Sequence, residues 1–210
     1  MKRWIAAVLW IGLVIVMAIA PPQPPDVLGW VLDLMLGRWE GTEPWVVVHF
    51  MLMGIWPMLL SVQLRDRMGS RPLPAWPFAM GSFALGGYAL LPWFVLTPAS
   101  SQARHWAFLE KLRVPIGAVS LLSALGFGVW AGATGSVLDW WAMASSDGFV
   151  FAMSFDFLAL WLTSILLARE RGGMWRLCLL PVLGTAVYSM RAQGPVLASL
   201  SPSGSSSASK

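Results

Sequence analysis

Long apolar runs separated by short polar stretches dominate the chain. Four of them, residues 44–64, 75–96, 114–134 and 149–168, hold the roughly 20 helical residues that a hydrocarbon core about 30 Å thick requires. Two flanking runs, 4–20 and 177–190, are shorter, and Trp175 together with helix tilt would extend the second. The pattern predicts an all-α polytopic transmembrane helical bundle of five to six membrane spans. The first run admits two readings. Lys2 and Arg3 give it a basic start, and Ala18-Ile19-Ala20 before Pro21 has the small-residue form of a cleavage site. Residues 1–20 are therefore read as a first transmembrane helix or as a signal peptide.

The polar stretches fix the remaining boundaries. Pro21-Pro22-Gln23-Pro24-Pro25 is a stiff connector that cannot continue a helix. After it, Asp26, Gly29, Asp33, Gly37 and Glu40 recur at steps of three and four among apolar residues, which predicts an interfacial amphipathic helix with an acidic face, or a helix capping the bundle's mouth. Residues 21–43 thus form a Pro-rich connector with its interfacial helix, and 44–191 the helical bundle. Residues 192–210 lose hydrophobicity and end in a serine tract, a composition that predicts a disordered tail.

Composition agrees with the pattern. Of 210 residues, 57% are hydrophobic and only 11% charged, against about 25% charge in a soluble domain. The formal charge of +4 comes from short basic loops, and no basic stripe with interleaved aromatics points to nucleic acid. The single cysteine, Cys178, rules out an internal disulfide or a thiolate metal cage. Tryptophan is abundant, and Trp4, Trp39, Trp45, Trp76, Trp93, Trp106, Trp140, Trp141 and Trp175 sit at run ends, where indoles mark the headgroup level.

The loop charges give conflicting orientations. Lys2, Arg3, Arg65, Arg67 and Arg71 put the N-terminus on the cytoplasmic side, with the acidic stretch 26–43 opposite. Arg104, Lys111, Arg113, Arg169, Arg171 and Arg176 also favour the cytoplasm, and Asp139 and Asp147 the other side, which leaves the two halves out of step by one crossing. Either the first helices outvote the later charges, the simpler reading, or the run 75–96, which contains Pro77, Gly81, Gly86, Gly87 and Pro92, is broken or re-entrant.

Few side chains offer chemistry. Asp156 is the one acidic residue well inside a long run, and a carboxylate in hydrocarbon costs several kcal/mol unless paired, protonated or hydrated. It shares a helical stripe with Ala152, Ala159 and Thr163, small neighbours that admit a close helix. The choice is between a proton-transfer or ligand-binding carboxylate and an interhelical hydrogen bond, of which the second is the commoner. His49, near Glu40 and Glu43, suits a metal, a tetrapyrrole magnesium or a titrating group, although Glu43 and His49 lack the i, i+4 spacing of a helical metal pair. Ordinary packing is its simplest account, and interfacial anchoring that of His105. Ser120, Ala124, Gly128 and Gly132 form a small-residue face for helix packing, within the molecule or with a partner. Nucleotide-binding loops, hydrolase elbows and zinc-protease motifs are missing from the sequence. No metal or cofactor is predicted, with a pigment or lipid left open as ligand.

From about residue 75 to 191 the chain resembles a family of multi-pass membrane proteins of cyanobacteria and plant plastids whose role is not established. The resemblance is carried by Pro74-Ala75-Trp76-Pro77, Phe83-Ala84-Leu85-Gly86, Ala89-Leu90-Leu91-Pro92, Phe108-Leu109-Glu110-Lys111, Asp156-Phe157, Leu179-Leu180-Pro181, Leu183-Gly184 and Tyr188. Where the family follows Asp-Phe with a proline-containing stretch and an Asn-Asp pair, this chain has Thr163-Ser164 and Arg169-Glu170. The resemblance implies a photosynthetic organism and a thylakoid or plasma membrane, and it supplies no reaction. The expected function is an assembly, scaffold or accessory factor whose partners are the bilayer and other membrane proteins. The alternative is a membrane-embedded enzyme or carrier for a lipid, carotenoid or chlorophyll-like molecule, using Asp156 and His49.

Overall fold

The computed structural model describes residues 1–97, 106–171 and 174–191. The predicted tail at 192–210 and the loop residues Arg104 and His105 lie outside the described residues. Those described are all helical in character and form no strand. The helices are α1 (Arg3–Ile19), α2 (Val27–Met35), α3 (Pro44–Gln63), α4 (Trp76–Leu85), α5 (Gly87–Leu96), α6 (Ala107–Thr134), α7 (Val137–Ser146), α8 (Gly148–Arg171) and α9 (Leu183–Arg191), with a short 3-10 helix at Trp175–Leu179. Three of them, α3, α6 and α8, are long and apolar enough to cross a membrane. Their outward residues are apolar too: Val119, Leu122, Leu125 and Val129 of α6 are exposed, as expected where the surroundings are lipid.

The expected five to six spans are not all seen as continuous helices, since two of the six runs are interrupted. Residues 75–96 break at Gly86, whose φ of +54° is a left-handed conformation that glycine adopts without the penalty of a Cβ. The two ten-residue halves then fold back on each other. A Cβ built on Gly81 would lie 3.3 Å from that of Ala89, residues that would be about 12 Å apart along one continuous helix. At the open end of this hairpin Trp93 Nε1 donates to the Leu73 carbonyl at 3.1 Å, so the chain leaves where it entered. Each arm is about 15 Å long, half the thickness of a hydrocarbon core. The run 177–190 also turns back: the 3-10 helix descends beside α8, with Trp161 Nε1 donating to the Cys178 carbonyl at 2.7 Å, and α9 returns to meet Arg113 at Met190. Its tip is Val182, buried and held at φ +50°, a costly conformation for a β-branched residue that the surrounding core must impose.

These hairpins bring the basic loops together. Arg3 Nε donates to the Thr97 carbonyl at 2.8 Å, Arg171 pairs with Asp66 at 2.8 Å, and Arg113 pairs with Glu110 at 2.9 Å. Arg65, only 1% exposed, pairs with the same Glu110. The opposite end is acidic and is where helices begin. Asp26 accepts from Gly29 N, Asp147 from Phe149 N and Val150 N, and Glu43 from Trp45 N, Val46 N and, through its other oxygen, Ser136 N. Carboxylates there satisfy orphan N–H groups and oppose the positive helix ends. At this end α2 stops at Met35, short of the predicted Glu40, because Gly37 takes φ +76° and Arg38 N closes the turn on the Asp33 carbonyl at 2.9 Å.

The small-residue face of α6 divides in two. Ser120 and Ala124 are buried, and Gly117 beside them is so close to α9 that a Cβ would meet Met190 and lie 2.9 Å from the Ala186 carbonyl. Gly128 and Gly132 meet no neighbour within the chain, since nothing lies within 4 Å of a Cβ built on either, which leaves of the two expected uses only packing against a partner. The register of the α6–α9 contact ends a turn before them, because α9 is only 9 residues long.

The hairpin geometry makes a direct prediction. In a Cys178→Ala background, single cysteines at Pro72 and Thr97 in sealed vesicles react with a membrane-impermeant maleimide from the same side. Labelling from opposite sides would show that residues 75–96 cross.

Candidate functional site

Two polar features lie on different faces of α8. Asp156 is 5% exposed and faces the break between α4 and α5. Its Oδ1 accepts from Gly87 N at 2.8 Å, so the carboxylate caps the N-terminus of α5 from another helix. The local sequence permits this approach because glycine occupies both facing positions. A Cβ on Gly86 would run into the carboxylate, and one on Gly87 would lie 2.7 Å from Oδ1 and 3.2 Å from Leu13 Cδ1. Tyr88, the next residue, donates its hydroxyl to the Leu13 carbonyl at 2.9 Å, and Trp10 Nε1 donates to the Tyr88 carbonyl at 3.3 Å. The break is thus held by α8 on one side and α1 on the other. Asp156 lines none of the described cavities. Of its predicted stripe, Ala159 is buried and Ala152 half-buried.

The other feature surrounds His49, half-buried on α3 about two turns below Glu43. Its ring stacks on Trp140 of α7 at 5.8 Å and meets Phe157 of α8 edge-on at 5.0 Å. The imidazole adjoins the backbone of Met153 on α8. Two adjoining apolar cavities share His49, Trp140 and Phe157 in their walls. One, of about 300 Å³, extends to Trp45, Leu52 and Val137, and the other, of about 510 Å³, to Trp141, Ala144, Phe151, Ser154 and Phe155. Trp141 and Phe155 are exposed on the outer surface, so the larger cavity reaches the flank of the molecule.

The structure does not bring Asp156 and His49 together, since consecutive residues 156 and 157 point about 100° apart around α8. Neither residue belongs to a group of three or more potential metal ligands among the described residues. A third polar cluster was not singled out by sequence. Gln63 Nε2 donates to Ser164 Oγ at 2.8 Å, and Ser164 Oγ lies 3.2 Å from Thr185 Oγ1, joining α3, α8 and the returning arm α9. The available signal was the presence of Gln63 and Ser164 at buried positions of otherwise apolar runs. No family model, no curated protein and no solved structure matches the chain.

The cap sets an order among substitutions. Asp156→Asn keeps an acceptor for Gly87 N and leaves detergent-solubilised protein close to wild-type thermal stability. Asp156→Ala strands a buried N–H and costs about 1–3 kcal/mol. Gly86→Ala costs at least as much, because a Cβ meets both the positive φ and the carboxylate. Unfolding midpoints followed by tryptophan fluorescence check the order, and an Asp156→Asn loss as large as that of Asp156→Ala would show that the ionised group itself is required.

Proposed function

We propose that this integral membrane protein has four crossing helices, α1, α3, α6 and α8, and two re-entrant hairpins entering from the basic side, and that it acts through contacts as an assembly, scaffold or accessory factor. The single observation that carries the non-catalytic reading is the state of Asp156. Asp156, the one acidic residue that is buried among the described residues, is committed through Oδ1 to a backbone N–H on a neighbouring helix and lines none of the described cavities. A carboxylate serving substrate binding is expected to line a cavity, and Asp156 lines none of the described ones.

With two runs folded back, the basic loops of both halves share one side, which the positive-inside rule assigns to the cytoplasm or its topological equivalent. The resemblance to the cyanobacterial and plastid family supports a thylakoid or plasma membrane of a photosynthetic cell. A specific observation also keeps a second reading, a carrier of a lipid or pigment: the aromatic cavities beside His49, rather than Asp156, would hold the cargo.

Gentle detergent extraction followed by native sizing and identification of associated proteins tests the first reading. The expected result is recovery in a defined complex larger than the 22.9 kDa chain, retained by Asp156→Asn. Recovery of a bare monomer under conditions that preserve other membrane complexes would sink it.

A further inference from the structure

The wall between the two cavities contains a complementary pair of polar atoms without partners. His49 Nε2 and Trp140 Nε1 are both buried and neither has a hydrogen-bond partner among the described residues. The His49 ring also adjoins the backbone of Met153, and within a helix the backbone group free to take a ring proton is the carbonyl, which favours the tautomer protonated at Nδ1. A neutral imidazole that donates from Nδ1 has a lone pair at Nε2. Trp140 Nε1 can only donate. One acceptor and one donor therefore sit on stacked rings in an apolar wall, where an unmade hydrogen bond is costly.

We propose that these cavities bind a lipid-soluble aromatic alcohol, a phenol or quinol, whose hydroxyl donates to His49 Nε2 and accepts from Trp140 Nε1–H. A hydroxyl is the smallest group that satisfies both atoms at once. A quinone or ether oxygen would answer only the indole, and a metal centre only the imidazole. The aromatic part of the ligand follows from the walls, since Trp141, Phe151, Phe155 and Phe157 offer ring faces and edges. The volume of about 510 Å³ falls within the range of small-molecule sites, about 300–1,000 Å³. An alkyl or prenyl tail would leave past Trp141 and Phe155 on the outer flank. The two nitrogens are shielded at the wall, so the hydroxyl reaches them with a turn of the rings about χ2, a broad torsion in aromatic side chains.

The full chain in lipid nanodiscs is titrated with 4-decylphenol and with 4-decylanisole, which has the same ring and tail but no O–H. Quenching of tryptophan fluorescence is read against empty nanodiscs and a tryptophan peptide. The phenol is expected to bind about tenfold more tightly than the anisole. His49→Leu abolishes that preference, while Trp140→Phe weakens both ligands and leaves the phenol ahead. Ala144→Phe fills the larger cavity and removes binding of both with His49 intact, so the proposal stays testable even if His49→Leu does not fold. Equal binding of phenol and anisole by the wild type would overturn the assignment, as would a preference that survives His49→Leu. A zinc porphyrin whose absorption band shifts only when His49 is present, without phenol binding, would replace it by metal coordination.

Discussion

Backbone polar groups inside a bilayer must find partners within the protein, and the rest of this fold follows from how that demand is met at Gly86. An uninterrupted helix satisfies its own N–H groups. A helix broken at mid-depth exposes the first N–H groups of its second half where no water can reach them. Here Asp156 supplies one acceptor for Gly87 N from across the bundle. That single bond requires α8 to stand against the tip of the hairpin, which in turn requires glycine at 86 and 87. The carboxylate, costly as an isolated group in hydrocarbon, is tolerated because a backbone donor and a positive helix end face it.

Turning the chain back at Gly86 also decides where charge goes. With residues 75–96 crossing, the basic loops of the two halves would fall on opposite sides. With the run folded back, Arg3, Arg65, Arg113 and Arg171 share one end, where Glu110 bridges Arg65 and Arg113, Asp66 pairs with Arg171 and Arg3 donates to the Thr97 carbonyl. The acidic end is ordered by a different use of charge. Asp26, Glu43 and Asp147 are spent as helix caps, and Glu43 ties the start of α3 to the turn between α6 and α7 through its second oxygen. Buried Arg65 is the exception at the basic end, and its pairing with Glu110 offsets the cost of removing a guanidinium from solvent.

Much of this was legible in the residues. The runs that became α3, α6 and α8 could be counted, because helix length and hydrophobic thickness constrain each other directly. The hairpin at 75–96 was legible as a contradiction between loop charges that fell on a run rich in proline and glycine, while the tendency of the first helices to set orientation favoured a simple crossing; the deciding facts, a positive φ at Gly86 and contact between Gly81 and Ala89, are three-dimensional. Asp156 was identifiable from its isolation, but its partner is a backbone N–H, which every residue except proline carries and no sequence pattern advertises. The second half of the small-residue face meets nothing within the chain because α9 begins at Leu183, after a turn at Val182 that Pro181 and Gly184 flank but whose effect on α6 only the tertiary contact reveals. The cavities at His49 were hidden for a related reason: their walls come from α3, α7 and α8, and tryptophan at a run end reads first as an interfacial anchor.

Adjacent residues on α8 therefore separate two kinds of polarity. Asp156 looks toward the broken helix, where its partner is covalently fixed in the chain and the arrangement leaves no room for a guest. Phe157 looks toward His49 and Trp140, where rings rather than backbone make the wall and space remains beside them. Rigid packing at the first face holds α8 against α1 and α5, so that the second face can carry cavities without the helix collapsing into them. A helix pinned by a cap at one residue and left open at the next has room for something apolar at the open side, and the unpartnered nitrogens in that wall would give such a guest its one polar constraint.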